Sequence, residues 1–438
     1  MYKTLSAPLT VQIEIVSACT SKCVHCYNFW RRDDDFTENR LSSGQIKMVM
    51  KKLSESKVFD VVITGGEPLL NKKGLLVCLE EARKYGIGTS LNSNLAILNK
   101  DYARELKERG IKQVLTSLHG PTAEIHDSIV QRKGSFNKTL LGIKLALEEE
   151  MGITVNMVVT RANLKHVKET AQLVSLLGVK NFAATKAGIP GNCTDFSEFS
   201  ISLEDFRAYL EDLYVAGQEF KLNVDVLESY PLCGIKEVGR YKKFTGRKCL
   251  AGVTTFTIAS DGNIRPCSHL DISYGNIFTE SINDIWIRME EWRRGDFLPS
   301  DCKGCKLLKL CGGGCRMEAK MRAESLSALD PYSSPNDVSF CDEILKSHHR
   351  KDEMSDKKIS FFALNKVKWR KEPFGTTVVA SKRSRVFLDE DGTKVLEQFK
   401  EGVIYDVNDK TLNWQGLNLQ DFLLKLAEKK VIILKERR

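Results

Sequence analysis

Cys19-Thr20-Ser21-Lys22-Cys23-Val24-His25-Cys26 carries three thiols, separated by three and then two residues, directly after the apolar run VQIEIVS at 11–17. That run reads as a strand, so the thiols sit on the loop leaving it. A loop this tight can wrap one iron–sulfur cluster, yet a cubane takes four thiolates and the next cysteine is Cys78. One iron is then left for a ligand that is not protein. A zinc loop or three unrelated reduced thiols are the alternatives, although structural zinc normally takes four ligands, usually as two pairs.

The pattern C-x3-C-x2-C resembles the signature of the radical S-adenosylmethionine (SAM) enzymes. The resemblance implies a [4Fe–4S] cluster on Cys19, Cys23 and Cys26 whose open iron chelates the amino and carboxylate groups of SAM. It implies reductive cleavage of SAM to methionine and a 5′-deoxyadenosyl radical, with electrons from a donor such as flavodoxin or ferredoxin. That radical would take a hydrogen atom from the substrate.

Downstream, helical and strand-like segments alternate. SSGQIKMVMKKLSES has apolar residues at helical spacing, DVVIT reads as a buried strand and KGLLVCLEEARKYG as a helix. The alternation continues through GTSLNSN, DYARELKERG, VLTSLHG, FNKTLLGIKLALEEE, TVNMVVT, LKHVKETAQLVSLLG and NFAATKA. Six such strands imply a parallel sheet with right-handed crossovers, an α/β fold: a partial (β/α)6 barrel over residues 1–215. Its working residues belong at the C-terminal ends of the strands.

The candidate motifs fall at those ends. Gly65-Gly66-Glu67-Pro68 looks like the motif that binds the SAM amino group in the family. Paired glycines let backbone approach a ligand, and a carboxylate and exposed carbonyls accept from an ammonium. Asn92, Ser93 and Asn94 end the third strand, and Ser117, Leu118 and His119 the fourth; by resemblance these places touch SAM or substrate. Arg132 is the candidate partner of the SAM carboxylate, since a guanidinium can hold a carboxylate through two parallel hydrogen bonds. Relatives often carry an arginine two places earlier, where this chain has Val130. Arg161 and Asn163 close the fifth strand, Cys193 lies on a loop after the sixth, and Cys78 reads as a small core residue.

The 438 residues, 42% hydrophobic, suffice for two or three domains. No run of eighteen apolar residues appears and MYKTLSAPLTVQIE has no signal-peptide core, so the expectation is a cytoplasmic protein with no membrane partner. Thirteen cysteines then argue for metal ligation rather than disulfides. The net charge of +9 is scattered instead of forming one basic block, which gives little support to a nucleic-acid partner.

After a bridging region at 216–240 comes a second cysteine set: Cys249, Cys267, Cys302, Cys305, Cys311, Cys315 and Cys341. TTFTIASDGNIRPC reads as a hairpin, with Asp261-Gly262 at the turn and Cys267 on the returning strand. Gly262 four residues before Cys267, then CKGCKLLKLCGGGC and a final cysteine, resemble the SPASM domain of peptide-modifying radical SAM enzymes. The resemblance covers residues 241–348 and implies two auxiliary [4Fe–4S] clusters; two zinc ribbons are the alternative. By family pattern Cys302, Cys305, Cys311 and Cys341 close an outer cluster, leaving Cys249, Cys267 and Cys315 for an inner one. Two cubanes want eight thiolates and the motif supplies seven, and Thr255 stands where some relatives place a further cysteine. Either Cys233 completes the inner set, or that set stays open to a substrate thiolate.

Residues 349–358 form a charged linker. In 359–438, ISFFALNKVKWRKE, TTVVAS and RVFLD read as three strands, followed by two helical segments and VIIL, with about three helices expected in all. This winged-helix-like order resembles the PqqD-type element that binds leader sequences of ribosomal peptides, on Trp369-Arg370 and Gly375 among others. A leader would add as a strand to an exposed edge. The expected activity is crosslinking, thioether or carbon–carbon, in a ribosomally made precursor peptide. A sulfatase-maturing or tetrapyrrole-modifying enzyme and a cluster-bearing nucleic-acid regulator are the alternatives.

Overall fold

A computed structural model describes residues 3–28, 37–191, 193, 195–235, 237–241, 244, 246–335, 361–381 and 384–435. Cys341 and the linker 349–358 lie outside the described residues. The chain divides into two units: Ala7–Ile344, and Leu345–Arg438 counted together with Tyr2–Ser6.

In the first unit the six anticipated strands are β1 Thr10–Glu14, β2 Asp60–Thr64, β3 Gly88–Asn92, β4 Gln113–Ser117, β5 Gly152–Val159 and β6 Asn181–Lys186, each parallel to the next. Between and after them run α1 Ser43–Glu55, α2 Lys72–Lys84, α3 Lys100–Glu108, α4 Ala123–Val130, α5 Ser135–Glu148, α6 Val167–Leu176 and α7 Leu203–Glu219. Crossover helices shield a parallel sheet, so its strands are apolar: Val11, Ile13, Val61, Ile63, Leu91, Val155 and Phe182 are all buried.

The six-strand run stays open. β7 Asn223–Asp225 adds parallel to β6, and β8 Thr255–Ile258 takes the far edge of β1, giving the order β7-β6-β5-β4-β3-β2-β1-β8-β9. β8 turns through Gly262, at φ +89°, into antiparallel β9 Ile264–Arg265. The expected hairpin is therefore welded to the main sheet, with Cys267 just past its end. α8 Ile282–Arg288, α9 Glu290–Arg294, α10 Leu308–Cys311 and α11 Arg316–Ala323 complete the cysteine-rich part.

The second unit holds two antiparallel sheets, β14-β10-β15 and β11-β12-β13. Their strands are β10 Phe361–Leu364, β11 Lys368–Glu372, β12 Gly375–Ser381, β13 Ser384–Leu388, β14 Ile404–Asp406 and β15 Ile432–Lys435. α12 Glu390–Leu396 and α13 Leu419–Glu428 pack on Phe362, Val378, Phe399 and Val431. The single strand expected over ISFFALNKVKWRKE is interrupted at 365–367, and its halves join different sheets. Two helices are present among the described residues rather than about three, and β14, only three residues long, had no sequence signal. No helix among the described residues is long and apolar enough to cross a membrane.

Candidate SAM and iron–sulfur sites

The cysteine loop leaves β1 and is pinned from three sides. Gly66 N–H donates to Val16 O and Glu67 N–H to Ala18 O, both at 2.7 Å. A Cβ on Gly65 would lie 2.2 Å from Val16 O, and one on Gly66 2.0 Å from Ala18 O, so the motif needs both glycines for close backbone contact. Lys22 and Val24 N–H groups donate to the carbonyls of Val130 and Ile129 at the end of α4, each at 3.0 Å. Asn94 Nδ2 donates to Thr20 Oγ1 at 2.9 Å, and Arg132 donates to Thr20 O. Cys19, Cys23 and Cys26 remain partly accessible.

The Glu67 carboxylate is buried and occupied. It accepts from Ser93 Oγ (2.6 Å), Asn94 N–H (2.8 Å) and Leu69 N–H (3.1 Å), so it shapes the exit of β3. Burial raises its carboxyl to about 6 against the pull of those donors. Asn92 and Ser117 are the last residues of β3 and β4, and both are half-buried. His119 is buried and its ring meets that of His25 edge-on at 4.6 Å, which places it beside the cysteine loop. Burial holds it well below the usual imidazole range, the neighbouring histidines adding to this, and its Nδ1 accepts from Val158 N–H at 3.2 Å. Asn163 is fully used, accepting from Thr160 N–H and donating to His119 O and Val158 O. Cys78 is wholly buried against Met50, its thiol pushed up to about 12 by burial.

The later cysteines separate into two groups. Burial raises the Cys267 and Cys315 thiols, and charge on Cys249 adds to both shifts. His269 N–H donates to Cys267 Sγ at 3.5 Å, while its ring stacks on Tyr27, next to Cys26, with centroids 4.4 Å apart. This stack ties the inner group to the first cysteine loop. Arg265 braces the same turn from β9: it donates to Ser268 O and Leu270 O and, at 2.6 and 2.7 Å, to the buried carboxylate of Glu14.

Against the inner group lies a charge cluster. Lys186, the last residue of β6, has a fully buried side chain with its Nζ 3.3 Å from both Glu228 and Glu318. Burial pulls its ammonium down, but Glu228, Glu318 and Asp330 outweigh this and hold it well above the usual lysine range. Burial raises the Glu318 carboxyl against the pull of Lys186. Asp330 accepts from Cys315 N–H at 2.7 Å and from Tyr332 N–H at 2.9 Å. Sequence reading missed Lys186, Glu228, Glu318, Tyr27 and His269; a lysine closing the otherwise buried strand NFAATK was the available signal.

The outer group is a cavity lined by Cys302, Cys305, Cys311 and Cys233, with Leu307 and Leu308 among its apolar walls. Backbone donors reach its sulfurs: Leu232 N–H to Cys311 Sγ at 3.4 Å and Ser334 N–H to Cys233 Sγ at 3.3 Å. Gly312, Gly313 and Gly314 all take positive φ, so the chain can wrap tightly between Cys311 and Cys315. Thiols in an apolar pocket with N–H donors aimed at sulfur suit a cluster, whose thiolates spread over several irons.

Residues 13–174 match the model of the Radical SAM superfamily, and residues 249–311 that of an iron–sulfur cluster-binding domain, SPASM. The AdoMet-dependent heme synthase of Methanosarcina barkeri is 23% identical, over 75% of this chain and 96% of that protein. The PqqA peptide cyclase of Bradyrhizobium diazoefficiens is 24% identical, over 75% and 87%. The solved structure of native anSMEcpe with bound AdoMet superposes with a TM-score of 0.63 at 20% identity, covering 78% of this chain and all of that one. The chain is an enzyme of the radical SAM class. More particularly, it carries a radical SAM domain, which binds a [4Fe–4S] cluster and SAM, followed by a SPASM domain, which holds auxiliary iron–sulfur clusters.

Proposed function

We propose that this enzyme is a peptide maturase that installs a crosslink, thioether or carbon–carbon, in a ribosomally made precursor whose leader is held by residues 345–438. Cys19, Cys23 and Cys26 would hold the cluster that, with SAM bound, supplies the 5′-deoxyadenosyl radical. The GGEP turn, Asn94 and Arg132 fix the loop that presents these thiols, and Asn92 and Ser117 line the mouth where SAM and substrate would meet. Crosslinking removes two hydrogens: one leaves as an atom to the radical, the other as a proton and an electron, and an auxiliary iron–sulfur cluster held by Cys249, Cys267 and Cys315 would take up that electron. The buried Lys186–Glu228–Glu318 group places titratable oxygens beside the inner thiols, where a proton can be accommodated.

The observation carrying this reading is the second unit, which has its own apolar core and two three-stranded antiparallel sheets, each ending in edge strands. An unpaired edge can take an extended peptide by main-chain hydrogen bonding. The peptide cyclase among the relatives supports the same substrate class. The test is the mass of a short peptide encoded beside this gene, after anaerobic incubation with reconstituted enzyme, SAM and reductant. Loss of two hydrogens per event is expected, with thiol alkylation telling a sulfur link from a carbon–carbon one. The heme synthase relative favours a second reading, tetrapyrrole modification, which unchanged peptide and a modified porphyrin would establish instead.

A further inference from the structure

We propose that Cys233 is the fourth thiolate of the outer auxiliary cluster, beside Cys302, Cys305 and Cys311. Four thiols facing one apolar cavity already complete a cubane's protein ligand set. Cys233 is held there by several independent contacts. It sits in the single turn Leu232–Gly234, whose Gly234 carbonyl accepts from Arg207 Nε at 2.9 Å. A Cβ on Gly234 would lie 2.1 Å from Tyr332 O, so the turn is pressed against the 330–334 segment. That segment is itself folded by Asp330 and delivers Ser334 N–H to Cys233 Sγ, while Leu232 N–H on the other side of the turn serves Cys311 Sγ.

The inner group gains nothing from Cys233. Cys233 lines the cavity of the outer thiols, whose lining does not include Cys249, Cys267 or Cys315, and Asp330 accepts from Cys315 N–H and from Tyr332 N–H in the segment that carries Ser334. The inner set therefore keeps Cys249, Cys267 and Cys315 as its thiols among the described residues, and an iron there is open to an outside ligand such as a substrate thiolate. The inference rests on the outer thiols holding a cluster at all, which the iron content of the unmutated protein tests separately.

The experiment compares anaerobically reconstituted wild type, Cys233→Ala and Cys341→Ala by iron and sulfide content, Mössbauer spectra and EPR. Wild type should carry about twelve irons, three cubanes' worth. Cys233→Ala should lose about four irons or show the oxidised three-iron EPR signal, and Cys341→Ala should match wild type. Full iron in Cys233→Ala, with loss in Cys341→Ala, overturns the assignment. Should both variants lose iron, alkylation of the unmutated loaded protein decides: Cys233 shielded from iodoacetamide until the clusters are stripped supports it, and Cys233 labelled in the loaded protein overturns it.

Discussion

At the scale of single residues, the burial of titratable groups dominates the chemistry. Among the described residues Glu67 has three donors and no cation beside it, and burial lifts its carboxyl from 4.5 to about 6. The folded chain thus keeps a proton between those values that the unfolded chain has released. Its contribution is complete below pH 4.5 and is lost as pH rises through 6. Of a total near 2 kcal/mol, about 1 kcal/mol should vanish between about pH 5 and pH 7. Glu67→Gln should remove that slope, so the gap in melting temperature between variant and wild type narrows as pH rises; a gap independent of pH would refute it. Lys186 is the opposite case. Replacing it with Met leaves Glu228 and Glu318 buried without their cation, a loss of about 3–5 kcal/mol. Differential scanning fluorimetry should show it, and an unchanged midpoint would mean the ion pairs contribute nothing.

At the scale of elements, the sheet positions the site through backbone contact. The Gly65-Gly66 turn after β2 and the end of α4 clasp the cysteine loop, so a side chain at 66 has nowhere to go. Gly66→Ala should weaken SAM binding at least about tenfold, or 1.4 kcal/mol, by titration of the reconstituted enzyme. Gly239→Ala, whose Cβ meets nothing within 4 Å, is the control. Wild-type SAM affinity in Gly66→Ala would show that the loop is not set by this contact. The six strands were legible because parallel strands buried on both faces read as apolar runs, and the thiol motifs because ligand spacing is local. α4 escaped because AEIHDSIV is short and was read for its neighbouring Arg132, while its functional part, the carbonyls of Ile129 and Val130, carries no side-chain signal. That Cys233 joins the outer thiols depends on a turn and a segment about a hundred residues apart, a distance that spacing cannot encode.

At the scale of the whole chain, the proposed function would give the chemistry to the first unit and leader capture to the second. The second unit has its own core of Phe362, Val378, Leu396, Phe399, Leu423 and Val431, so removing it should not unfold the first. A chain ending at residue 344 should still cleave SAM to 5′-deoxyadenosine. Its kcat/KM for a full precursor should fall on the order of 10²-fold, the scale on which a second tethered binding event raises apparent affinity. Turnover of a leaderless core peptide, which never used the tether, should stay where it was. If precursor and core peptide lose activity equally, the second unit supports the first structurally. If neither changes, residues 345–438 do not capture the leader, and specificity resides at the mouth lined by Asn92 and Ser117.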